Sequence, residues 1–108
     1  MARGDALQGA LPILILKILV RRGPLHGYAI TTQIETASEV LRVEEGSLYP
    51  ALHRLEESRL VKARWTTTAN KRRARVYEVT AAGRRRLEAD EKRWRAVMLA
   101  LGQLLEEI

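Results

Sequence analysis

The chain has 108 residues, a length that fits one domain and excludes a two-domain enzyme with a cleft between its lobes. Hydrophobic residues make up 46% and charged residues 30%, as in a folded globular domain, and without Cys there are no disulfides, thiolate zinc sites or thiol nucleophiles. The excess of Lys and Arg over Asp and Glu gives a net charge of +6, which suits an anionic partner such as nucleic acid.

An apolar run at residues 10–20 is similar in composition to the hydrophobic part of a secretory signal. Lys17 interrupts it, however, and Arg21 follows where small cleavage-site residues would stand. The run is also shorter than the about twenty residues that span a bilayer. We therefore expect a cytoplasmic protein with no membrane partner, and a buried first helix over residues 10–21 that has Pro12 in its first turn.

Two more helices are predicted before residue 60. Gly23 and Pro24 end the first helix, and a second is expected from about His26 to Ser38. A third is expected to begin after Ser47 as its N-cap. Its buried face comprises Leu48, Ala51, Leu52 and Leu55, and its exposed face comprises Pro50, His53, Arg54 and Glu57.

Beyond the third helix the composition changes. Residues 61–66 and 75–80 carry β-branched and aromatic residues in near alternation around a polar, basic segment, which predicts a β-hairpin. Thr80 is the expected N-cap of a long last helix. The pattern predicts a mainly α fold with a small β-hairpin: a winged helix-turn-helix over residues 1–80 and a C-terminal dimerisation helix over residues 81–108, in one structural unit.

The positive charge is concentrated on the predicted hairpin and its flanks. More than half of the Lys and Arg residues lie within residues 59–86, where Glu78 is the single acidic residue. A charge run is often only a solvated surface, but this one directly follows a short helix-turn-helix. That position favours a DNA-binding wing with Lys71, Arg72 and Arg73 at its tip.

The polar face of the third helix is the expected reader of a DNA groove. Arg54 can reach guanine O6 and N7, whereas Ser47 and Tyr49 suit phosphate or sugar contacts. A place at the edge of the core is an equal alternative for Tyr49. A plain surface histidine is the alternative for His53 as a groove contact.

Motifs for catalysis, metal binding or cofactor binding are missing from the sequence. His26 and His53 have no partners at metal-site spacing, no serine lies in a nucleophile motif, and there is no glycine-rich phosphate loop. We therefore expect a protein that is not an enzyme and that uses neither a metal nor a cofactor.

The last helix carries an apolar stripe that extends beyond what a small domain can cover. It comprises Leu87, Trp94, Leu101 and Ile108 at a spacing of seven, with Val97, Met98, Leu104 and Leu105 beside them. The stripe predicts a two-fold dimer that presents two wings and two recognition helices to a palindromic site. Packing of the stripe on the first helix of the same chain is the alternative for part of it.

Four motifs are spread over nearly the whole chain: LHGYAI at 25–30, VEEGSLYPALHRL at 43–55, NKRRARVY at 70–77 and TAAGR at 80–84. In these motifs the sequence resembles the PadR family of bacterial transcriptional regulators, and by length it is similar to the small members with one C-terminal helix. The resemblance implies a homodimeric, usually repressive, DNA-binding protein whose affinity for its operator is lowered by a small effector.

The resemblance also implies roles for single residues. Tyr28 would contact the DNA backbone from the second helix. The recognition helix would start with Ser47, Tyr49 and Pro50, and the wing would comprise Lys71, Arg72 and Arg73. Some small members accept flat aromatic compounds between the subunits, beside a tryptophan of the last helix, and Trp94 fits that position. Dimer packing is the alternative use of Trp94.

The sequence departs from the family pattern at three positions. Lys71 stands where a turn glycine is common, Arg59 where a glycine often ends the recognition helix, and Val76 where a second tyrosine is frequent. The first two bear on turn and cap geometry, because a non-glycine residue at positive φ carries a cost.

A second class of function is compatible with the same fold. A winged domain with a basic face can be an interaction module for an acidic protein, since the fold alone does not establish DNA recognition. A third class is an architectural DNA protein that has no effector and no sequence preference.

Overall fold

The computed structural model describes residues 5–37 and 45–107. The helices are α1 (Asp5–Arg22), α2 (Gly27–Ala37), α3 (Glu45–Glu57) and α4 (Ala81–Glu107), and the strands are β1 (Leu25–His26), β2 (Val61–Thr67) and β3 (Arg73–Val79). The predicted class, mainly helical with a β-hairpin and a long last helix, is confirmed. None of the helices in these two ranges combines the length and apolarity that a membrane crossing requires.

The sheet has three antiparallel strands in the order β1-β3-β2. The predicted hairpin is its main part, paired from Val61↔Val79 to Thr67↔Arg73. Strand β1 was not predicted, because two residues are too few to show an alternating pattern. It pairs with β3 through Leu25↔Tyr77, so α2 begins at Gly27 and not at His26. The predicted end of that helix at Ser38 lies outside the described residues.

The core is formed where α1, α2 and α3 pack on one another and on the inner face of the sheet. Its helical side chains are Leu11, Ile15, Leu16 and Leu19 of α1, Ile30 and Ile34 of α2, and Leu48, Ala51, Leu52 and Leu55 of α3. The predicted buried face of α3 is therefore confirmed. Because this face is held in the core, the opposite face of α3 is held outward.

Pro12, which was predicted in a first helical turn, and Pro50 both lie inside their helices. α1 begins at Asp5 and places Pro12 in its interior, and α3 begins at Glu45, so Ser47 is a helical residue rather than the N-cap and Pro50 is also internal. A proline inside a helix removes one backbone hydrogen bond. Packing offsets this cost, since Leu11 and Ile15 beside Pro12 are buried in the core.

The end of α3 is closed by a Schellman motif whose left-handed residue is Arg59, with a φ of 61°. The Arg59 amide donates to the Glu56 carbonyl at 3.0 Å, and the Leu60 amide donates to the Leu55 carbonyl at 2.9 Å. Leu60 also packs against the core. The departure from the family's glycine therefore leaves the cap in place and puts an arginine in a conformation that glycine adopts freely.

We expect Arg59→Gly to raise the free energy of unfolding by about 0.5–1 kcal/mol, because it removes the left-handed strain of a residue with a Cβ. Arg59→Ala is the matched control, since it removes the same charge and keeps the strain. Urea unfolding of the three proteins compares them directly. Equal stability of the glycine and alanine variants would show that the left-handed conformation of Arg59 is not strained.

The predicted N-cap of α4 is confirmed. The Thr80 hydroxyl accepts from the Gly83 amide at 3.0 Å and donates towards the Arg59 and Leu60 carbonyls at 2.8 and 3.1 Å. The start of α4 is thereby tied to the end of α3. One threonine thus connects α3, the hairpin that follows it and α4.

Candidate nucleic-acid interface

The outward face of α3 presents its polar side chains to solvent beside the hairpin. Pro50, His53, Arg54 and Glu57 are all exposed, as expected for the face opposite the buried leucines. The His53 imidazole lies against the Glu57 carboxylate one turn later, which holds the ring along the helix surface. Arg54, the next residue, is the permanently charged cation of this face and is also exposed.

Tyr49 is partly packed against its own chain and partly exposed. Its side chain is 46% exposed, yet one edge of the ring packs against the start of α2. A Cβ at Gly27 would lie 2.9 Å from the Tyr49 Cε1 and 3.1 Å from its hydroxyl oxygen. Gly27 thus gives the ring room to pack while the other side of the ring stays accessible.

Tyr28, the next residue of α2, is 77% exposed. It lies at the N-terminal end of α2, which contacts the N-terminal part of α3 through Gly27 and Tyr49. Ser47 lies in the same first part of α3 and is partly buried. Three residues were predicted to contact the DNA backbone: Tyr28, Ser47 and Tyr49. The structure places all three near the N-terminal ends of α2 and α3.

The wing tip is a tight turn with its three cations exposed. Thr68 closes the turn, since its amide donates to the Arg72 carbonyl at 2.8 Å and its carbonyl accepts from the Lys71 amide at 2.9 Å. Lys71 has a φ of 60°, as in hairpin loops where a left-handed residue follows a turn. Lys71, Arg72 and Arg73 all remain accessible to solvent.

Arg75 links the wing to the recognition helix. Its Nη2 donates to the Glu56 Oε2 of α3 at 2.8 Å, and its guanidinium lies 5.8 Å from the centroid of the Tyr77 ring. Burial raises the pKa of the Tyr77 hydroxyl, and the positive charge of Arg75 acts in the opposite direction. Glu56 and Arg75 are 19 residues apart in the sequence, so no local sequence pattern predicted this contact.

The apolar stripe on α4 divides into two parts. Leu87 is 6% exposed and belongs to the core of its own chain, so it is not part of a surface that a partner can contact. Trp94 is half-buried and lies beside Gly9 of α1. The predicted packing of part of the stripe on the first helix therefore matches what the structure shows at Trp94.

A polar network also joins α1 to α4. Lys17 Nζ and Arg95 Nη2 each lie 2.9 Å from a carboxylate oxygen of Glu91. The hydrogen bonds from Arg95 and Lys17 hold the pKa of the Glu91 carboxyl below its ordinary value. The first half of α4 is thus fastened to the domain by both apolar and ionic contacts.

The second half of α4 carries large apolar side chains in solvent. Val97, Met98, Leu101, Leu104 and Leu105 of the predicted dimer surface are all exposed, together with Leu99. Ile108, also assigned to that surface, lies outside the described residues. An exposed apolar face of this extent is unusual on a monomeric domain.

A wing residue that the sequence pattern did not single out is Trp65 of β2, which is 57% exposed between two arginines of β3. A tryptophan in a strand pattern is typical of a core position, so nothing in the sequence indicated that Trp65 is exposed on the wing.

Within the described residues, no group of three or more His, Asp or Glu side chains could hold a metal ion.

The arrangement of α2, α3 and the β2–β3 hairpin is that of a winged helix-turn-helix, the class of DNA-binding domain in which α3 is the recognition helix and the hairpin is the wing. Residues 15–89 match the model of the Transcriptional regulator PadR-like family. The chain belongs to the PadR-like family of transcriptional regulators.

Two relatives match in sequence. "Transcriptional regulator Rv3488" of Mycobacterium tuberculosis is 34% identical over 84 residues, which are 78% of this chain and 69% of the relative. An "Uncharacterized 37.1 kDa protein in transposon TN4556" of Streptomyces fradiae is 47% identical over 68 residues, which are 63% of this chain. The chain spans only 18% of the length of that second protein.

Several solved structures are similar in fold and sequence. A PadR family transcription regulator from Clostridium difficile R20291 has a TM-score of 0.77 at 31% identity, covering 90% of this chain and 99% of the other. Bacillus subtilis PadR in complex with operator DNA has a TM-score of 0.65 at 29% identity, covering 73% of this chain and 45% of the other.

Proposed function

We propose that the protein is a sequence-specific DNA-binding repressor that acts as a homodimer on a palindromic operator. The observation that carries this proposal is the placement of an exposed cationic wing beside the exposed polar face of α3, joined by the Arg75–Glu56 ion pair. The net charge of +6 supports an anionic partner. The operator complex of Bacillus subtilis PadR supports DNA as that partner.

In the proposed complex α3 enters the major groove and the wing follows the adjacent backbone. Arg54 is the base-reading residue, with His53 beside it. Tyr28, Ser47 and Tyr49 contact phosphate or sugar at the start of the helix pair, where Pro50 shapes the surface. Lys71, Arg72 and Arg73 neutralise phosphates, so binding becomes weaker as the salt concentration rises.

The exposed half of α4 supplies the proposed dimer contact. The face comprises Val97, Met98, Leu101, Leu104 and Leu105, with the half-buried Trp94 at its edge. Burying such a face against a second copy removes apolar area from water and places two recognition helices about a two-fold axis. The two-fold axis is the physical reason for a palindromic operator.

We further propose that a flat aromatic effector binds beside Trp94 and releases the protein from its operator. Trp94 lies between the part of α4 that is fastened to α1 and the part that we assign to the dimer. A planar ligand stacked on this indole would act at the junction of those two parts. It would change the spacing of the two recognition helices only by binding one dimer geometry better than the other.

Selection of bound duplexes from a random DNA pool tests the proposed function. A recovered palindrome that is preferred over a scrambled duplex of equal length at about 0.2 M salt supports a sequence-specific regulator. Equal and salt-labile binding to every polyanion supports a module for an acidic protein. A screen for aromatic compounds that release the selected duplex then tests the effector.

The double change Arg72→Ala and Arg73→Ala is expected to reduce the slope of log affinity against log salt by about three to four units, because each of the two wings of the proposed dimer loses two phosphate contacts. The matched control replaces the adjacent arginines Arg21 and Arg22, which line a groove beside Gln33 and Ala37 in the second half of α2. That control removes the same charge away from the wing, and its slope should equal that of the parent protein. An unchanged slope in the wing variant would reject the wing contacts.

A further inference from the structure

Trp65 occupies an unusual position on the wing. The pleat places it on the face of β2 that also carries Val61 and Ala63, two residues that join or contact the core. Trp65 lies beyond the end of that core and is 57% exposed, so it does not serve as a buried anchor. Its cross-strand partner is Arg75.

The indole of Trp65 is flanked by two guanidinium groups. Arg73 Cζ lies 4.7 Å from the ring centroid, and Arg75 Cζ lies 5.7 Å from it. Both distances are within the range of an attractive cation–π contact, for which tryptophan is the best aromatic partner. The two arginines are thus held on one face of the wing by one aromatic side chain.

These contacts form a continuous series from the recognition helix to the wing tip. Glu56 of α3 holds Arg75 at 2.8 Å, Arg75 lies beside Trp65, and Trp65 lies beside Arg73, the first residue of β3 after the turn. The four side chains therefore lie in series between α3 and the start of β3.

We infer that Trp65 is a positioning residue for DNA binding: it holds the Arg73 guanidinium at a set distance from the recognition helix. This inference rests on the proposed function. A guanidinium packed by its face keeps its in-plane N–H groups free to donate to a phosphate. Because the arginine is ordered before binding, less side-chain entropy is lost when the complex forms.

The test uses the labelled duplex recovered by selection and four variants of the full chain: Trp65→Ala, Trp65→Phe, Arg73→Ala and the double variant Trp65→Ala with Arg73→Ala. We expect Trp65→Ala to weaken binding about two- to fivefold, the size of an exposed cation–π contact. Trp65→Phe should lose less, because phenylalanine keeps an aromatic face. In a protein that already carries Arg73→Ala, the added Trp65→Ala change should cause almost no further loss of DNA affinity.

Thermal unfolding of each variant establishes that the fold is retained, as expected for an exposed side chain. Additive losses in the double variant, or parental affinity in Trp65→Ala, would overturn the inference while leaving the proposed function intact. Failure of the parent protein to prefer any duplex would instead reject the proposed function.

A second readout needs no DNA. In a Trp94→Phe protein, Trp65 is the single tryptophan, and its fluorescence reports the cation beside its ring. We expect Arg73→Ala to change this emission. The matched control Arg72→Ala removes the same charge one residue closer to the tip and should leave the emission unchanged. Identical spectra for all three proteins would contradict the Trp65–Arg73 contact.

Discussion

Leu101→Asp is expected to convert the protein into monomers and to abolish high-affinity binding to a palindromic duplex. Leu101 is 54% exposed on the second half of α4, within the proposed dimer face. A buried leucine contributes about 1.5–3 kcal/mol, and a two-fold interface loses two of them while it brings two carboxylates together. The dimer dissociation constant should therefore rise at least about a hundredfold, as measured by sedimentation.

Gln103→Asp is the matched control for this charge, because residue 103 is about 200° around the helix from residue 101. Gln103 is exposed and lies outside the apolar stripe, so this variant should remain a dimer and keep its DNA affinity. If the Leu101→Asp protein sediments as a dimer like its parent, the proposed dimer face is wrong.

Gly83→Ala is expected to destabilise the protein by about 3 kcal/mol and to lower its Tm by about 15 °C. The physical reason is steric, since a Cβ at Gly83 would lie 2.1 Å from the Leu60 carbonyl oxygen and 2.7 Å from Val79 Cγ2. The Leu60 carbonyl cannot move away freely, because it accepts from the Thr80 amide at 3.0 Å. Relief of the clash would separate α4 from the hairpin.

Gly9→Ala makes the same chemical change in another helix, where the added Cβ would meet Trp94 at an ordinary 3.8 Å. It should stabilise the protein by up to about 1 kcal/mol, because alanine favours a helix more than glycine does. Thermal unfolding of both variants measures the contrast. A Gly83→Ala protein as stable as its parent would show that α4 does not approach Leu60 as closely as the structure indicates.

The site was predictable where its residues are adjacent in the chain. Lys71, Arg72 and Arg73 are consecutive and lie between two alternating segments, in the turn and at the start of β3, so composition alone located the wing tip. Glu56, Trp65 and Arg75 come from three different elements. The Glu56–Arg75 contact depends on how α3 packs beside the hairpin, and the Trp65–Arg75 contact depends on the register of the two strands. No local pattern specifies either of them.

The errors in the helix boundaries have a related cause. Pro12 and Ser47 were interpreted by their local preferences for a first turn and an N-cap. Packing of the neighbouring residues in the core outweighs those preferences, and both residues lie inside helices. Thr80 was predicted correctly because its local preference and the tertiary contacts agree.

The order of the helices and the hairpin, the buried face of α3 and the concentration of positive charge on the hairpin follow from periodicity and composition, so they could be predicted before the fold was known. The place of Leu87 in the core of its own chain and the contacts of Trp65 and Arg75 between the hairpin and α3 depend on packing in three dimensions. Such contacts join residues far apart in the chain, and they form only when the core brings the elements together.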